Sequence, residues 1–132
     1  MQNIIRISEA AVIALHAVEF MAKDAARPQS AANISAGLGV SYNHLSKVMQ
    51  RLTKAGFVSP LRGPKGGFRL SARADGARLR EIVEAVEGPL IFSGCLMGER
   101  SCGKKNCRFG RLLSETNAKF EELLSQKINA RA

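Results

Sequence analysis

Apolar side chains recur at helical spacing in five stretches of this chain and shrink to two short runs between the third and the fourth. Residues 7–22 read I-S-E-A-A-V-I-A-L-H-A-V-E-F-M-A, mostly apolar but broken by Glu9, His16 and Glu19, which predicts an amphipathic helix. Residues 30–38 make a second, short helix with Ala31, Ile34 and Leu38 inward, and G-L-G-V-S links it tightly to the next. Ser41 is a good N-cap for that third helix. Leu45, Val48, Met49 and Leu52 follow on one face, and Gly56 ends it. Phe57-Val58 and Phe68-Arg69-Leu70 are expected to be short strands around R-G-P-K-G-G, a hairpin. Leu79, Ile82, Val83 and Val86 return to helical spacing until Gly88-Pro89. The last helix is expected over about 109–127, with Leu113, Thr116, Phe120 and Leu123 as its stripe, widened by Leu112, Leu124 and Ile128.

The fold expected from this pattern is mainly α with a small β-hairpin wing. A winged helix–turn–helix spans 1–88, a cysteine loop 89–108, and a dimerisation helix with its tail 109–132. So small a winged helix leaves its long last helix little of its own domain to cover. Pairing with a second copy is the economical solution; packing against the chain's own first helix is the alternative, and both can hold.

Charge sharpens the picture because it is uneven. The net charge is +9, and residues 41–80 hold nine basic side chains against the single acid Asp75. A localised basic face is the footprint of a polyanion binder, set against the plainer reading of a solvated surface. An anionic membrane would attract it too, but the apolar positions here are those of a packed core, and no apolar run approaches the ~20 residues needed to span a bilayer. The expected partner is therefore double-stranded DNA, with no membrane and no small-molecule substrate. The third helix would present Ser41, Tyr42, Asn43 and His44 to base edges, with Lys47 and Arg51 further along. The wing would bring Arg62, Lys65 and Arg69 to phosphate, and Gly66 and Gly67 would allow positive φ and close backbone approach.

Every cysteine in the chain lies in C-L-M-G-E-R-S-C-G-K-K-N-C, as Cys95, Cys102 and Cys107. An odd number without a secretion signal argues against a disulfide framework and for a cytoplasmic protein. Thiols gathered in a Gly- and Lys-rich loop point to shared chemistry. Three readings stay open: an iron–sulfur sensor, a cluster-free regulator whose thiols are oxidised directly, and a structural zinc site. An enzyme is not expected, since there is no carboxylate pair or nucleophile–base constellation, and R-G-P-K-G-G lacks the P-loop spacing.

V-S-Y-N-H-L-S-K-V-M-Q-R-L-T-K-A-G-F-V, then R-G-P-K-G-G-F-R-L, E-A-V-E-G-P-L and the cysteine trio, resemble the Rrf-type winged-helix regulators, the IscR/NsrR/RsrR-like group, over about 5–125. The resemblance implies a homodimeric bacterial transcription regulator, by family habit a repressor. In many members three loop cysteines hold an iron–sulfur cluster that controls DNA binding. N-H-L-x-K at 43–47 is nearer the nitric-oxide-sensing branch. Ser46 stands where IscR has an acidic base-reading residue, which implies a different operator.

Clusters of this kind usually take four protein ligands, and three cysteines spaced C-x6-C-x4-C leave one place to fill. Arg100, Lys104, Lys105 and Arg108 would offset the charge of a ligated cluster. The carboxylate that serves NsrR-like proteins falls at Val12, and the histidine of IscR falls at Gly110; neither residue here can ligate. One turn beyond Val12, I-A-L-H places His16 where the RsrR branch has a histidine ligand. The resemblance thus implies Cys95, Cys102, Cys107 and His16, one subunit's imidazole joining the other's thiolates, and favours 2Fe–2S over 4Fe–4S. The plainer reading of His16 is a polar residue on the first helix, and Glu9, Glu99 and Glu115 are weaker carboxylate candidates.

Overall fold

The computed structural model describes residues 7–96 and 106–128. The chain runs α1 (Glu9–Ala22), α2 (Ala31–Leu38), α3 (Tyr42–Lys54), β1 (Val58–Leu61), β2 (Gly67–Leu70), one 3-10 turn (Ala72–Ala74), α4 (Leu79–Glu87) and α5 (Arg108–Leu124). Helix α1 is the centre. Ala11, Ala14 and Ala17 are fully buried on it, and such small side chains let α3 and α4 pack close on either side. Ile13, Val18 and Met21 join Ile34, Leu45, Val48, Met49, Leu52, Phe57 and Ile82 in one core.

Caps explain where the helices begin. The hydroxyls of Ser8, Ser30 and Ser41 accept from the backbone N–H of Ala11, Asn33 and His44 at 3.1, 3.0 and 3.1 Å. Helix α2 ends at Gly39 with φ 68°, a left-handed turn that admits glycine at little cost and swings the chain into α3. The short linker and this turn produce the expected helix–turn–helix.

The hairpin is longer on its first strand than the sequence predicts. β1 and β2 are antiparallel, with Val58 opposite Leu70 and Leu61 opposite Gly67, while Phe57 lies before the strand and is buried. Pro60 is tolerated because a two-stranded ribbon has an open edge. Gln29 and Phe68 exchange backbone hydrogen bonds at 2.9 and 2.7 Å, which fixes the hairpin to the segment entering α2.

Helix α5 departs from its predicted stripe. Leu113, Phe120 and Leu124 are buried, whereas Leu123 is exposed and Thr116 only half-buried. Phe120 and Leu124 pack with Ala11 of α1 and Val83 of α4 in a second apolar cluster. The helix stops at Leu124, not near 127, because the chain then bonds to the start of α4: Leu79 N–H donates to Gln126 O at 2.9 Å and Ile128 N–H to Ala77 O at 2.8 Å. Ile128 thereby enters the main core. No helix among the described residues is long and apolar enough to cross a membrane.

Candidate nucleic-acid interface and cysteine site

Helix α3 buries one face completely and offers the other. Ser41, Tyr42, Asn43, Lys47, Gln50, Arg51 and Lys54 are exposed, Tyr42 at 56%, while His44 and Ser46 are half-buried. The tip of the wing, on the hairpin that follows α3, exposes Arg62 and Lys65. Lys47, Arg62 and Lys65 have no ion pair or side-chain hydrogen bond among the described residues, so their charges face solvent.

Other basic residues of the same block have partners within the protein. Arg51 Nη1 donates to Val86 O at 3.0 Å, and Arg69 Nη2 to Ala26 O at 3.5 Å. Arg73 donates to Ala55 O and lies over the Phe57 ring at 4.6 Å, which places a cation at the C-terminal end of α3. Arg80 pairs with Glu84 at 2.7 Å. Sequence reasoning missed these ties because nothing in local periodicity says which carbonyl a long guanidinium reaches.

The two wing glycines have an internal reason to be glycine. A Cβ on Gly67, whose φ is 144°, would sit 2.4 Å from Gln29 O; one on Gly66 would sit 2.2 Å from Leu61 O. Positive φ occurs at Gly63 and Gly67 but not at Gly66, contrary to the expectation for that residue. The crowding comes from the wing's own backbone and its bond to Gln29.

The cysteine site lies at the start of α5. Cys107 is the N-cap of that 17-residue helix, beside N–H groups that favour negative charge. Cys95 is reached from the other side, after Phe92 has packed edge-on against Phe120 with centroids 5.6 Å apart. A Cβ on Gly110 would lie 3.6 Å from Gly94 O and 3.7 Å from Cys107 Cβ, so both ends of the cysteine loop converge on one corner. Cys95 and Cys107 are both half-buried. Cys102 lies outside the described residues, as do Glu99, Arg100, Lys104 and Lys105.

His16 stands on the exposed row Glu9, Val12, His16, Glu19 of α1, 3.7 Å from the Glu19 carboxylate, with its side chain 61% exposed. The described residues contain no cluster of three or more potential metal ligands, so His16 is not gathered with Cys95 and Cys107 within the chain. Two soft thiol donors at one corner, with a third cysteine between them in sequence, fit a thiolate-held group.

Over residues 7–128 the chain matches the Rrf2 family, described as an iron-dependent transcriptional regulator. It is 33% identical over 105 residues to the HTH-type transcriptional regulator IscR of Aliivibrio salmonicida, covering 79% of this chain and 55% of that protein. It is 33% identical over 89 residues to the HTH-type transcriptional regulator NsrR of Shouchella clausii, covering 66% of this chain and 60% of that one. The chain thus spans a little over half the length of these curated relatives. Among solved structures, CymR of B. subtilis, titled a global cysteine regulator, matches with a TM-score of 0.75 at 24% identity, covering 94% of this chain and 93% of its own. IscR of T. potens matches with a TM-score of 0.67 at 22% identity, covering 92% and 80%. These two structures share the fold.

Proposed function

The chain belongs to the Rrf2 family of iron-dependent transcriptional regulators, and on that premise we propose that it is a cytoplasmic, homodimeric, DNA-binding repressor governed by its cysteine site. Its named relatives are transcriptional regulators rather than enzymes. The observation that carries the DNA reading is the exposed basic face of α3 together with a wing, bearing Arg62 and Lys65, that its bond to Gln29 fixes to the helix–turn–helix. Tyr42, Asn43, His44 and Lys47, following the N-cap Ser41, read the major groove from the start of α3. Arg62, Lys65 and the backbone at Gly66 and Gly67 follow phosphate, with Arg69 behind them. Arg51, engaged with Val86, holds α3 in place.

Cys95, Cys102 and Cys107 hold an iron–sulfur cluster, with His16 of the partner subunit as fourth ligand and 2Fe–2S as the favoured type. When bound, such a cluster supplies a centre sensitive to redox state, nitric oxide and iron–sulfur supply. This chain's residues do the rest: Cys107 joins the site to the first turn of α5, and Glu84, which accepts from Leu90 N–H at 3.4 Å, joins the entering segment to α4. The exposed row Phe109, Leu112 and Leu123 of α5 provides the apolar seam for a second copy.

The experiment is anaerobic purification, a visible spectrum with iron and sulfide analysis, and selection of bound duplexes from genomic fragments by both forms of the protein. Brown protein with acid-labile sulfide, whose DNA affinity changes on cluster removal, is the expected result. Colourless protein after reconstitution with iron and sulfide counts against the cluster. The convergence of Cys95 and Cys107 then favours direct thiol oxidation, and zinc analysis separates that from a structural metal.

A further inference from the structure

We propose that Asn117 is the positioning residue of the cysteine site, holding Cys95 opposite Cys107 by way of Ser93; this rests on reading the three cysteines as ligands. Asn117 stands in the row Leu113, Asn117, Phe120, Leu124 that α5 turns toward its own protomer. The other three are buried and apolar. The Asn117 amide is half-buried and makes its bond at the exposed edge of that row. Its Nδ2 donates to Ser93 O at 3.0 Å. Ser93 in turn grips Cys95 at both backbone groups: its Oγ accepts from Cys95 N–H at 3.1 Å and donates to Cys95 O at 2.7 Å. One amide on α5 therefore sets the backbone that carries Cys95.

The same helix begins at Cys107, its N-cap. Between the two, Gly94 O comes within ordinary contact of α5, 3.6 Å from where a Cβ on Gly110 would stand. Helix α5 is thus the template on which both ends of the cysteine loop are mounted. A second fastening, the Phe92–Phe120 contact, is apolar. It resists separation of the segment from α5 but does little to set its register. A hydrogen bond is directional. Without Asn117 the segment loses this directional tie to α5, and the spacing of the two thiols is set less closely.

The test compares wild type with Asn117→Ala and Asn117→Gln, the latter keeping an amide donor. In metal-free, reduced protein, iodoacetamide alkylation followed by peptide mass spectrometry reads each thiol separately. Asn117→Ala is expected to speed alkylation of Cys95 roughly fivefold, the scale of one lost hydrogen bond, and to leave Cys107 near its wild-type rate. Asn117→Gln is expected to restore much of the protection. In protein reconstituted with ferrous iron and sulfide, the Ala variant is expected to shift the visible circular dichroism bands, which a merely structural role would leave in place. An unchanged Cys95 rate, or equal acceleration at Cys95 and Cys107, overturns the proposal. Should Asn117→Ala fail to fold, Asn117→Asp keeps the shape of the side chain but removes the donor to Ser93 O, and is read in the same way. The alkylation arm needs no cluster, so a colourless wild type defeats the iron–sulfur reading without deciding this one.

Discussion

Arg51 Nη1 donates to the carbonyl oxygen of Val86 at 3.0 Å, tying α3 to the last turn of α4 across 35 residues of sequence. That turn also receives the start of α1, since Ser8 N–H donates to the Glu87 carboxylate. Two residues beyond Val86 the chain turns at Gly88, φ 85°, into the segment that leads to Cys95. Helix α3 and the chain that leads on to Cys95 are therefore both joined to one end of α4.

If Arg51 holds α3 rather than a phosphate, Arg51→Ala should weaken DNA binding without altering its salt dependence. A lost phosphate contact lowers the slope of log K against log salt by about 0.9. Fluorescence anisotropy over a range of KCl concentrations distinguishes the two, and a slope reduced by that amount would return Arg51 to the DNA face.

The wing behaves oppositely. Lys65 is exposed and unpaired among the described residues, so Lys65→Ala should weaken binding to all sequences alike and reduce the slope by about 0.9. An unchanged slope removes the wing tip from the phosphate contacts.

Gly67→Ala should loosen the wing from the body. Its Cβ would meet Gln29 O at 2.4 Å, at a φ of 144° that L side chains rarely adopt. The expected loss is about 2–3 kcal/mol in urea unfolding, the scale of a forced backbone shift. Amide exchange at Phe68, whose N–H donates to Gln29 O, should accelerate with it. Wild-type stability would show that the strand yields without cost.

On α5 the two rows separate stability from assembly. Leu112 and Leu123 are each 48% exposed, so if the proposed second copy packs on this row, Leu112→Asp with Leu123→Asp should leave the chain folded and convert dimer to monomer in sedimentation velocity. Leu124, at 2% exposure, should instead cost about 2–5 kcal/mol when changed to Ala. A double Asp variant that still sediments as a dimer would move the interface elsewhere.

His16→Ala alters an exposed side chain whose one described ion pair is with Glu19, and should change stability by no more than about 0.5 kcal/mol. As a cluster ligand it should nevertheless matter for iron content and for the visible spectrum. Both remaining at wild-type values would leave His16 a surface residue and the fourth place open.

Local order was legible in the chain itself. Ser41 as a cap is a local matter, settled by a side-chain oxygen three residues from the N–H group it satisfies, and Ser8 and Ser30, not read as caps from the sequence, act in the same way. The period of Leu45, Val48, Met49 and Leu52 is equally local, and all four are buried as their spacing requires. So the helices, the hairpin and the basic block between them followed from residues near one another in sequence. Tertiary structure decided what lies far apart. Periodicity marks an apolar face without naming its neighbour, and on α5 it cannot tell Leu123, exposed, from Leu124, buried against α1 and α4. Nor does composition show that Arg51 and Arg73 spend their charge on carbonyls, or that Gly67 is glycine because Gln29 leaves no room for a Cβ. Long side chains and close backbones find their partners only once the chain is packed, because those partners are set by three-dimensional proximity and not by spacing.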